Sequence, residues 1–257
     1  PTDTPLTPLP PMSVETVTPY DSGASKREQI THAFDVIAHR YDRLNRILSL
    51  GIDRGWRRRA LRLLAQDAAP DRVLDVATGT ADFAILAARL LPHARITGID
   101  LSAGMLASGR AKVLRAQLCD RIDLMRGDCL ALPFADGSFD AVTVAFGVRN
   151  FESIAAGLAE MHRVLAPAGR VVILELSQPE RAPMRPLFRF YLRAVMPLLG
   201  RLFSGHAREY RYLPASIEQV PQGEAMLDLL REAGFDACRA VRYTFGVCSC
   251  YTGRRTS

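Results

Sequence analysis

Val73-Leu74-Asp75-Val76-Ala77-Thr78-Gly79-Thr80-Ala81-Asp82 runs from an apolar strand segment through a small-residue turn centred on Gly79. A helix-patterned segment, Phe83 to Leu91, follows at once. Strand, tight turn and helix in that order build the nucleotide site of α/β domains, where backbone N–H groups at the helix start face a ligand. The acids narrow the choice of ligand. Asp75 and Asp82 bracket the turn, and carboxylates there cancel part of the positive helix end that a phosphate needs. A cationic, phosphate-free nucleoside such as S-adenosyl-L-methionine fits this turn better than a dinucleotide. Taken alone, the same small residues also suit any closely packed βα loop.

Context favours the ligand. A second strand, Arg95-Ile96-Thr97-Gly98-Ile99-Asp100, ends in an acid and leads into Leu101-Ser102 and a helix. An acid about 20 residues past a glycine turn is placed to hold ribose hydroxyls. Asp100 therefore supports a nucleoside without choosing which; the turn chooses, because it lacks G-x-G-x-x-G and carries extra acids. A third strand, Ile122 to Met125, delivers Arg126-Gly127-Asp128-Cys129. Asp128 is placed either to accept from an adenine amino group or to form a turn.

Composition sets the frame. The 257 residues, 48% hydrophobic and 23% charged, fit one large globular domain with a short appendage. No apolar run is long enough to span a membrane. Six of the 16 prolines fall within the first 19 residues, so residues 1–25 read as a disordered arm. That arm lacks the features of a secretory or transit segment. Five cysteines without C-x-x-C spacing point to a reducing cytoplasmic setting, with neither a disulfide framework nor a metal site. Cys248 and Cys250 read as packing residues on one strand face.

The formal charge of +6 is unevenly spread. Seven arginines (181, 185, 189, 193, 201, 208 and 211) stand against one acid, Glu209, between residues 181 and 211. Arg54, Arg57, Arg58, Arg59 and Arg62 flank the only tryptophan, Trp56. Such clusters are either solvated helix faces or sites for an anionic surface.

Five strands, near 73–77, 95–100, 122–126, 139–146 and 169–176, alternate with helices near 82–91, 103–117 and 152–165. This alternation predicts an α/β domain, a Rossmann-like, doubly wound parallel sheet. Ala166-Pro-Ala-Gly169 stops the fourth helix and turns into a continuous apolar strand. Residues 26–65 form an N-terminal helical appendage, and 177–220 a helical insertion after strand five. A helix near 222–233 and strands near 239–246 and 247–253 complete a domain spanning 26–257. Within the insertion, Pro186–Met196 reads as a basic amphipathic helix ended by Pro197, with Phe188, Phe190 and Tyr191 on its apolar side. It is either a lid packed on its own domain or an element lying on an anionic membrane.

Phe146-Gly147-Val148-Arg149-Asn150 after strand four, with Ala131-Leu132-Pro133-Phe134 before it, resembles the quinone-biosynthesis C-methyltransferases of the UbiE/MenG type. Tyr41-Asp42-Arg43-Leu44-Asn45, Leu174-Glu175-Leu176-Ser177, Tyr210-Arg211-Tyr212-Leu213 and Ser216-Ile217 extend the likeness over residues 27–246. The resemblance implies a class I S-adenosylmethionine-dependent methyltransferase acting on a prenylated quinol, most closely demethylmenaquinol. It implies cofactor contacts at Thr80, Asp100, Asp128, Cys129 and Ala145, which join Asp75 and Gly79 of the turn as candidate cofactor residues, and substrate-side positions at Tyr41, Asn150 and Tyr210. Position 81 is Ala where the family has Gly, implying a more crowded methionine end. Position 145 is Ala where Ser is common, implying a lost hydroxyl contact. A cytoplasmic protein in peripheral contact with the inner face of an anionic plasma membrane follows, and a homodimer is compatible with it.

Methyl transfer to a ring carbon needs a phenolate, and free phenols titrate near 10. Arg149 is the candidate that stabilises the oxyanion, unless it serves a structural salt bridge to Asp82 or Glu175. Water, His206 or a carboxylate such as Asp42 would take the proton. Two rival readings stand beside this one. An RNA or DNA methyltransferase would use the arginines, but the Asn/Asp-Pro-Pro-aromatic motif of base methylation is missing after strand four, so no nucleic-acid partner is expected. A non-catalytic scaffold that binds the cofactor within a quinone-pathway complex is the other.

Overall fold

The computed structural model describes residues 13–20, 22–66, 69–196 and 209–256. Strands β1 (Arg72–Val76), β2 (Arg95–Asp100), β3 (Ile122–Arg126), β4 (Phe139–Ala145), β5 (Leu165–Leu176), β6 (Asp236–Tyr243) and β7 (Cys248–Arg254) form one sheet. Their order is β3-β2-β1-β4-β5-β7-β6. The first five run parallel, while β7 is antiparallel to both its neighbours. The order reverses between β1 and β4, and in open α/β sheets the crevice at such a switch point takes the ligand.

The apolar run of β5 shows why the sheet is covered on both faces. Val171 and Ile173 join one buried cluster, with Leu158 and Leu230, while Val172 and Leu174 join the other, with Leu61 and Phe83. Successive strand residues point to opposite faces, so an unbroken apolar strand needs two layers of helices. Helices α1 (Lys26–Leu48) and α2 (Asp53–Leu64) make the appendage. Helices α3 (Asp82–Leu90), α4 (Ala103–Arg115) and α5 (Ile154–Val164) follow β1, β2 and β4. Cys248 and Cys250 are fully buried in the cluster shared with Leu174.

Three boundaries differ from the sequence reading. The Ala166–Gly169 turn lies inside β5 as an irregularity, where the register with β4 shifts between Phe139 and Ala141. Within the segment read as a disordered arm, residues 13–20 and 22–25 belong to the described structure. Ser13–Thr16 forms a 3-10 turn, Val14 is fully buried, and Glu15 accepts a bond from the Ile154 amide at 2.7 Å. One apolar residue among prolines and threonines has no periodic pattern, so only tertiary contact reveals its burial. Residues 1–12 lie outside the described residues.

The third difference concerns the insertion. Helix α6 (Met184–Phe190) continues as a wide π turn through Tyr191–Val195, and helix α7 (Glu209–Gln219) follows further on. Phe188, Leu192 and Met196 pack on Ile217 of α7. Phe190, expected on that face, is 62% exposed. Positions 188 and 190 lie about 200° apart around a helix and cannot share its buried side. The expected stop at Pro197 falls outside the described residues, as do Arg201, His206 and Arg208. Helix α8 (Glu224–Glu232) then leads back to the sheet.

Candidate functional site

A cleft of about 780 Å³ opens at the carboxyl ends of β1 to β4, and Gly79, Asp100, Asp128, Cys129 and Ala145 all line it. Gly79 has φ +56, a conformation glycine adopts without the Cβ penalty of other residues. Its amide donates to Asp100 Oδ2 at 2.8 Å, and the Ser102 amide donates to Oδ1 at 2.9 Å. The turn after β1 is therefore locked to the acid that ends β2. Burial raises the Asp100 pKa, while these two amides oppose the shift. Asp128 closes its own turn, accepting from the Leu130 amide at 2.9 Å, and pairs with Arg27 of α1 at 2.5 Å. Burial, with Asp128 beside it, pushes the Cys129 thiol up and keeps it protonated.

The side chains of Asp75 and Thr80 stand apart from the residues that line the cleft. Asp75 is 1% exposed and turned behind the turn, accepting from the hydroxyls of Thr78 at 2.6 Å and Thr143 at 2.7 Å. Burial holds its pKa up at about 6, against those two hydrogen bonds and Arg57. Thr80 is buried as well; its hydroxyl donates to Asp42 at 2.5 Å and accepts from Lys112 at 3.1 Å. Neither side chain lines the cleft. Asp82 also faces away, paired with Lys112, so the charge argument moves to other acids. Asp100, Asp128 and Glu152 line the cleft against one guanidinium, Arg27. Those carboxylate acceptors suit hydroxyls, an amino group and a sulfonium, and leave a phosphate poorly served.

Ala81 shows why glycine is usual at its position. Its φ is +63, a left-handed conformation that costs an L-residue about 1–2 kcal/mol. The side chain is fully buried, and a Cβ added to Gly109 of α4 would stand 3.3 Å from the Ala81 methyl. The penalty at position 81 therefore falls on the backbone, and the methyl packs toward Gly109 of α4.

Helix α1 forms one wall of the cleft and is pinned at three heights. Arg27 meets Asp128, Asp35 accepts from Ser102 Oγ at 2.5 Å and the Gly104 amide at 2.9 Å, and Asp42 pairs with Lys112 at 2.6 Å. The Asp35 bonds also satisfy donors at the start of α4, which would otherwise be orphaned. Tyr41, on the same helix, lines this cleft and a second cavity.

The second cavity, about 990 Å³, is mostly apolar and is walled by Trp56, Phe146, Leu176, Phe188 and Leu192, with Arg149 among its few polar groups. Phe146 lines both spaces, so they meet at Tyr41 and Phe146. Arg149 is 6% exposed. Its Nη1 donates to Glu175 Oε1 at 2.8 Å and to the Phe146 carbonyl, and its amide donates to Glu175 Oε2 at 3.2 Å. Its Nε is buried with no hydrogen-bond partner among the described residues. Burial works against the guanidinium charge, but Glu175, then Tyr41 and Tyr212, outweigh it and raise the pKa. Of the two ion-pair partners considered from sequence, Glu175 is the one present.

Lys26 and Tyr212 hold the neighbouring segment, both reaching the Arg149 carbonyl. Lys26 Nζ donates to the carbonyls of Val14 at 2.7 Å and Arg149 at 3.0 Å, and burial lowers its pKa to about 8. Tyr212 donates to Asn150 Oδ1 at 3.0 Å. Asn150 itself lines the cofactor cleft. Tyr210 stands in α7, but its side chain lies outside the described residues.

Comparison with known proteins is decisive. The sequence pattern of the ubiE/COQ5 methyltransferase family matches residues 22–255. A demethylmenaquinone methyltransferase of Bacteroides fragilis is 47% identical over 241 residues, covering 94% of this chain and 98% of its own. The chain belongs to the ubiE/COQ5 methyltransferase family. Another member, the ubiquinone/menaquinone biosynthesis C-methyltransferase UbiE of Geotalea daltonii, is 44% identical over 90% of this chain and 97% of its own.

Solved structures agree on the fold. A S-adenosylmethionine-dependent methyltransferase from Aquifex aeolicus superposes with a TM-score of 0.57 at 18% identity, covering 77% of this chain and 89% of its own. The [4+2]-cyclase SpnF superposes at 0.65 with 19% identity, covering 91% and 98%. One architecture hosts different reactions, so it is membership in the ubiE/COQ5 family that makes this chain a methyltransferase with S-adenosylmethionine as donor.

For a family member, four site features escaped the sequence reading. Arg27 reaches Asp128 across 101 residues, and Lys26 reaches Arg149 across 123. Tyr212 lay in a quoted motif without a role. The apolar cavity draws on the appendage, β5, the insertion and the final hairpin; the lone Trp56 among arginines, with Phe188 and Tyr191 of the insertion, was the sequence signal for it. Among the described residues, no cluster of metal-ligating side chains occurs and no helix is long and apolar enough to cross a membrane.

Proposed function

We propose that this methyltransferase acts on a ring carbon of a prenylated quinol, with demethylmenaquinol as the substrate. One observation carries the reading: an apolar cavity with a buried arginine on its wall meets the acidic cofactor cleft at Tyr41 and Phe146. S-adenosylmethionine supplies an activated methyl group, so positioning provides much of the acceleration. Asp100 would hold the ribose hydroxyls and Asp128 the adenine amino group. Gly79, Cys129 and Ala145 shape the cleft around them.

The apolar walls receive the prenyl tail and exclude water from the ring. The guanidinium of Arg149, whose Nε is uncommitted, stabilises the phenolate oxygen as the hydroxyl proton leaves. The ring carbon then gains the methyl group and loses its own hydrogen as a proton, restoring the aromatic ring. Asp42, one candidate acceptor, is tied to Lys112 and Thr80; water is the acceptor this reading uses. Relatives named demethylmenaquinone methyltransferase support the naphthoquinol ring. The reading includes a cytoplasmic protein in peripheral contact with an anionic membrane and admits a homodimer, which sedimentation would detect.

The test is incubation with methyl-labelled cofactor and demethylated naphthoquinol or benzoquinol of equal tail length. Faster labelling of the naphthoquinol is expected. Label on neither ring would refute the assignment.

A further inference from the structure

Two turns frame the entrance of the apolar cavity. Leu50 and Ile52, between α1 and α2, line the cavity yet are 80% and 43% exposed. Side chains that are both lining and exposed mark its mouth. The Thr244–Gly246 turn joins β6 to β7; Thr244 and Val247 line the same cavity, and Phe245 between them is 80% exposed. Trp56 Nε1, in the first turn of α2, donates to Thr244 Oγ1 at 2.8 Å, which fastens the helix that follows the first turn to the second turn.

The backbone of both turns is held in the left-handed region. Leu50 and Gly51 have φ +52 and +74, and Thr244, Phe245 and Gly246 have φ +47, +57 and +94. Bulky and β-branched residues are rare there. The fold thus spends conformational strain at positions that present large apolar side chains to solvent, where they gain no burial. Strain of this kind concentrates at functional sites. The surrounding charge is basic. Arg46 near the end of α1 and Arg54, Arg58 and Arg62, spaced four apart along α2, are exposed and form no ion pair among the described residues.

We propose that these two turns are a membrane-docking tip that places Leu50, Ile52 and Phe245 in the acyl boundary of an anionic phospholipid bilayer. The arginines meet the headgroups, and an apolar tail passes from lipid into the cavity without crossing water. Apolar insertion combined with basic residues is how interfacial elements bind anionic membranes. The inference rests on the reading of the cavity as a prenylated-quinol site. It differs from a membrane role for α6, whose inner residues pack on α7.

The test is co-sedimentation of the full chain, without quinol, with vesicles of phosphatidylcholine alone or mixed with phosphatidylglycerol. Binding to the anionic vesicles is expected. Phe245→Ser should lower partitioning about tenfold, the scale for losing one inserted aromatic side chain. Arg54→Gln with Arg58→Gln should weaken binding to anionic vesicles only. Leu114→Ser serves as control, because Leu114 is 67% exposed on α4, and it should change nothing. Turnover of F245S on a short-tailed, water-soluble quinol should match wild type, which reports an intact fold. Wild-type protein that ignores anionic vesicles, F245S that binds as well as wild type, or F245S that merely converts a dimer to monomer would overturn the tip. Vesicle binding that is sensitive to F245S, with no quinol methylated, would instead overturn the substrate reading.

Discussion

Arg149 and Glu175 form a buried ion pair, Nη1 to Oε1 at 2.8 Å, on the wall of the apolar cavity. Glu175 holds the guanidinium in place and keeps it charged, while Nε remains uncommitted. The pair therefore joins a structural duty to a chemical one, and single substitutions mix the two.

Arg149→Gln should reduce turnover about 10²–10³-fold, the scale for losing one preorganised oxyanion stabiliser. It should also destabilise the fold by about 3–5 kcal/mol, because Glu175 is left buried and unpaired. Arg149→Gln combined with Glu175→Gln should recover most of the stability and none of the turnover. Raising the pH should partly rescue the double variant, since solvent then supplies phenolate. Thermal unfolding and initial rates across pH separate these outcomes.

Asp100→Asn should weaken cofactor binding by about 1.5–3 kcal/mol, the range for a hydrogen bond to a charged group. The loss should be smaller than for Asp100→Ala, which also releases the amides of Gly79 and Ser102. Calorimetry on folded protein gives the comparison; equal affinities for all three proteins would remove Asp100 from the site.

Asp75 yields a pH signature. Burial raises its folded pKa to about 6 from an ordinary value of 3.8. Between these values the folded state binds more protons than the unfolded state, so this residue's contribution is fully present below pH 4 and is lost as pH rises to 6. Asp75→Asn keeps an acceptor for Thr78 and Thr143 but does not titrate. Its stability relative to wild type should rise between pH 4 and 6, by at most ~1.4 kcal/mol per unit, and then level off. A flat difference across that window would show that Asp75 ionises normally.

The cysteines should separate by reactivity. Cys119 is exposed, whereas burial raises the pKa of Cys129, Cys248 and Cys250. A maleimide should label Cys119 first, with Cys129 inert in the folded protein, as expected when the thiolate is disfavoured. Peptide mapping by mass spectrometry checks the order.

Elements carried by local pattern were legible in the sequence. The strand–turn–helix at residues 73–82, the acid ending β2, and the apolar run 171–174 of β5 each follow from periodicity and turn chemistry. Side-chain direction at the turn was not. Whether Asp75 faces a ligand or Thr143 depends on β4 lying beside β1, a pairing 68 residues away. The same holds for Asp82 and Thr80, which Lys112 and Asp42 draw behind the turn. The apolar cavity was hidden for a related reason. Its walls come from segments as distant as Tyr41 and Val247, each of which reads locally as ordinary packing.

Single-turnover reaction with methyl-labelled S-adenosylmethionine, comparing reduced and oxidised demethylmenaquinone, distinguishes carbon methylation through a phenolate from its rivals. Label is expected on a ring carbon of the quinol and none on the oxidised quinone, which has no phenol to ionise. Label on a ring oxygen, equal labelling of both redox forms, or transfer to RNA in place of the quinol would contradict carbon methylation through a phenolate.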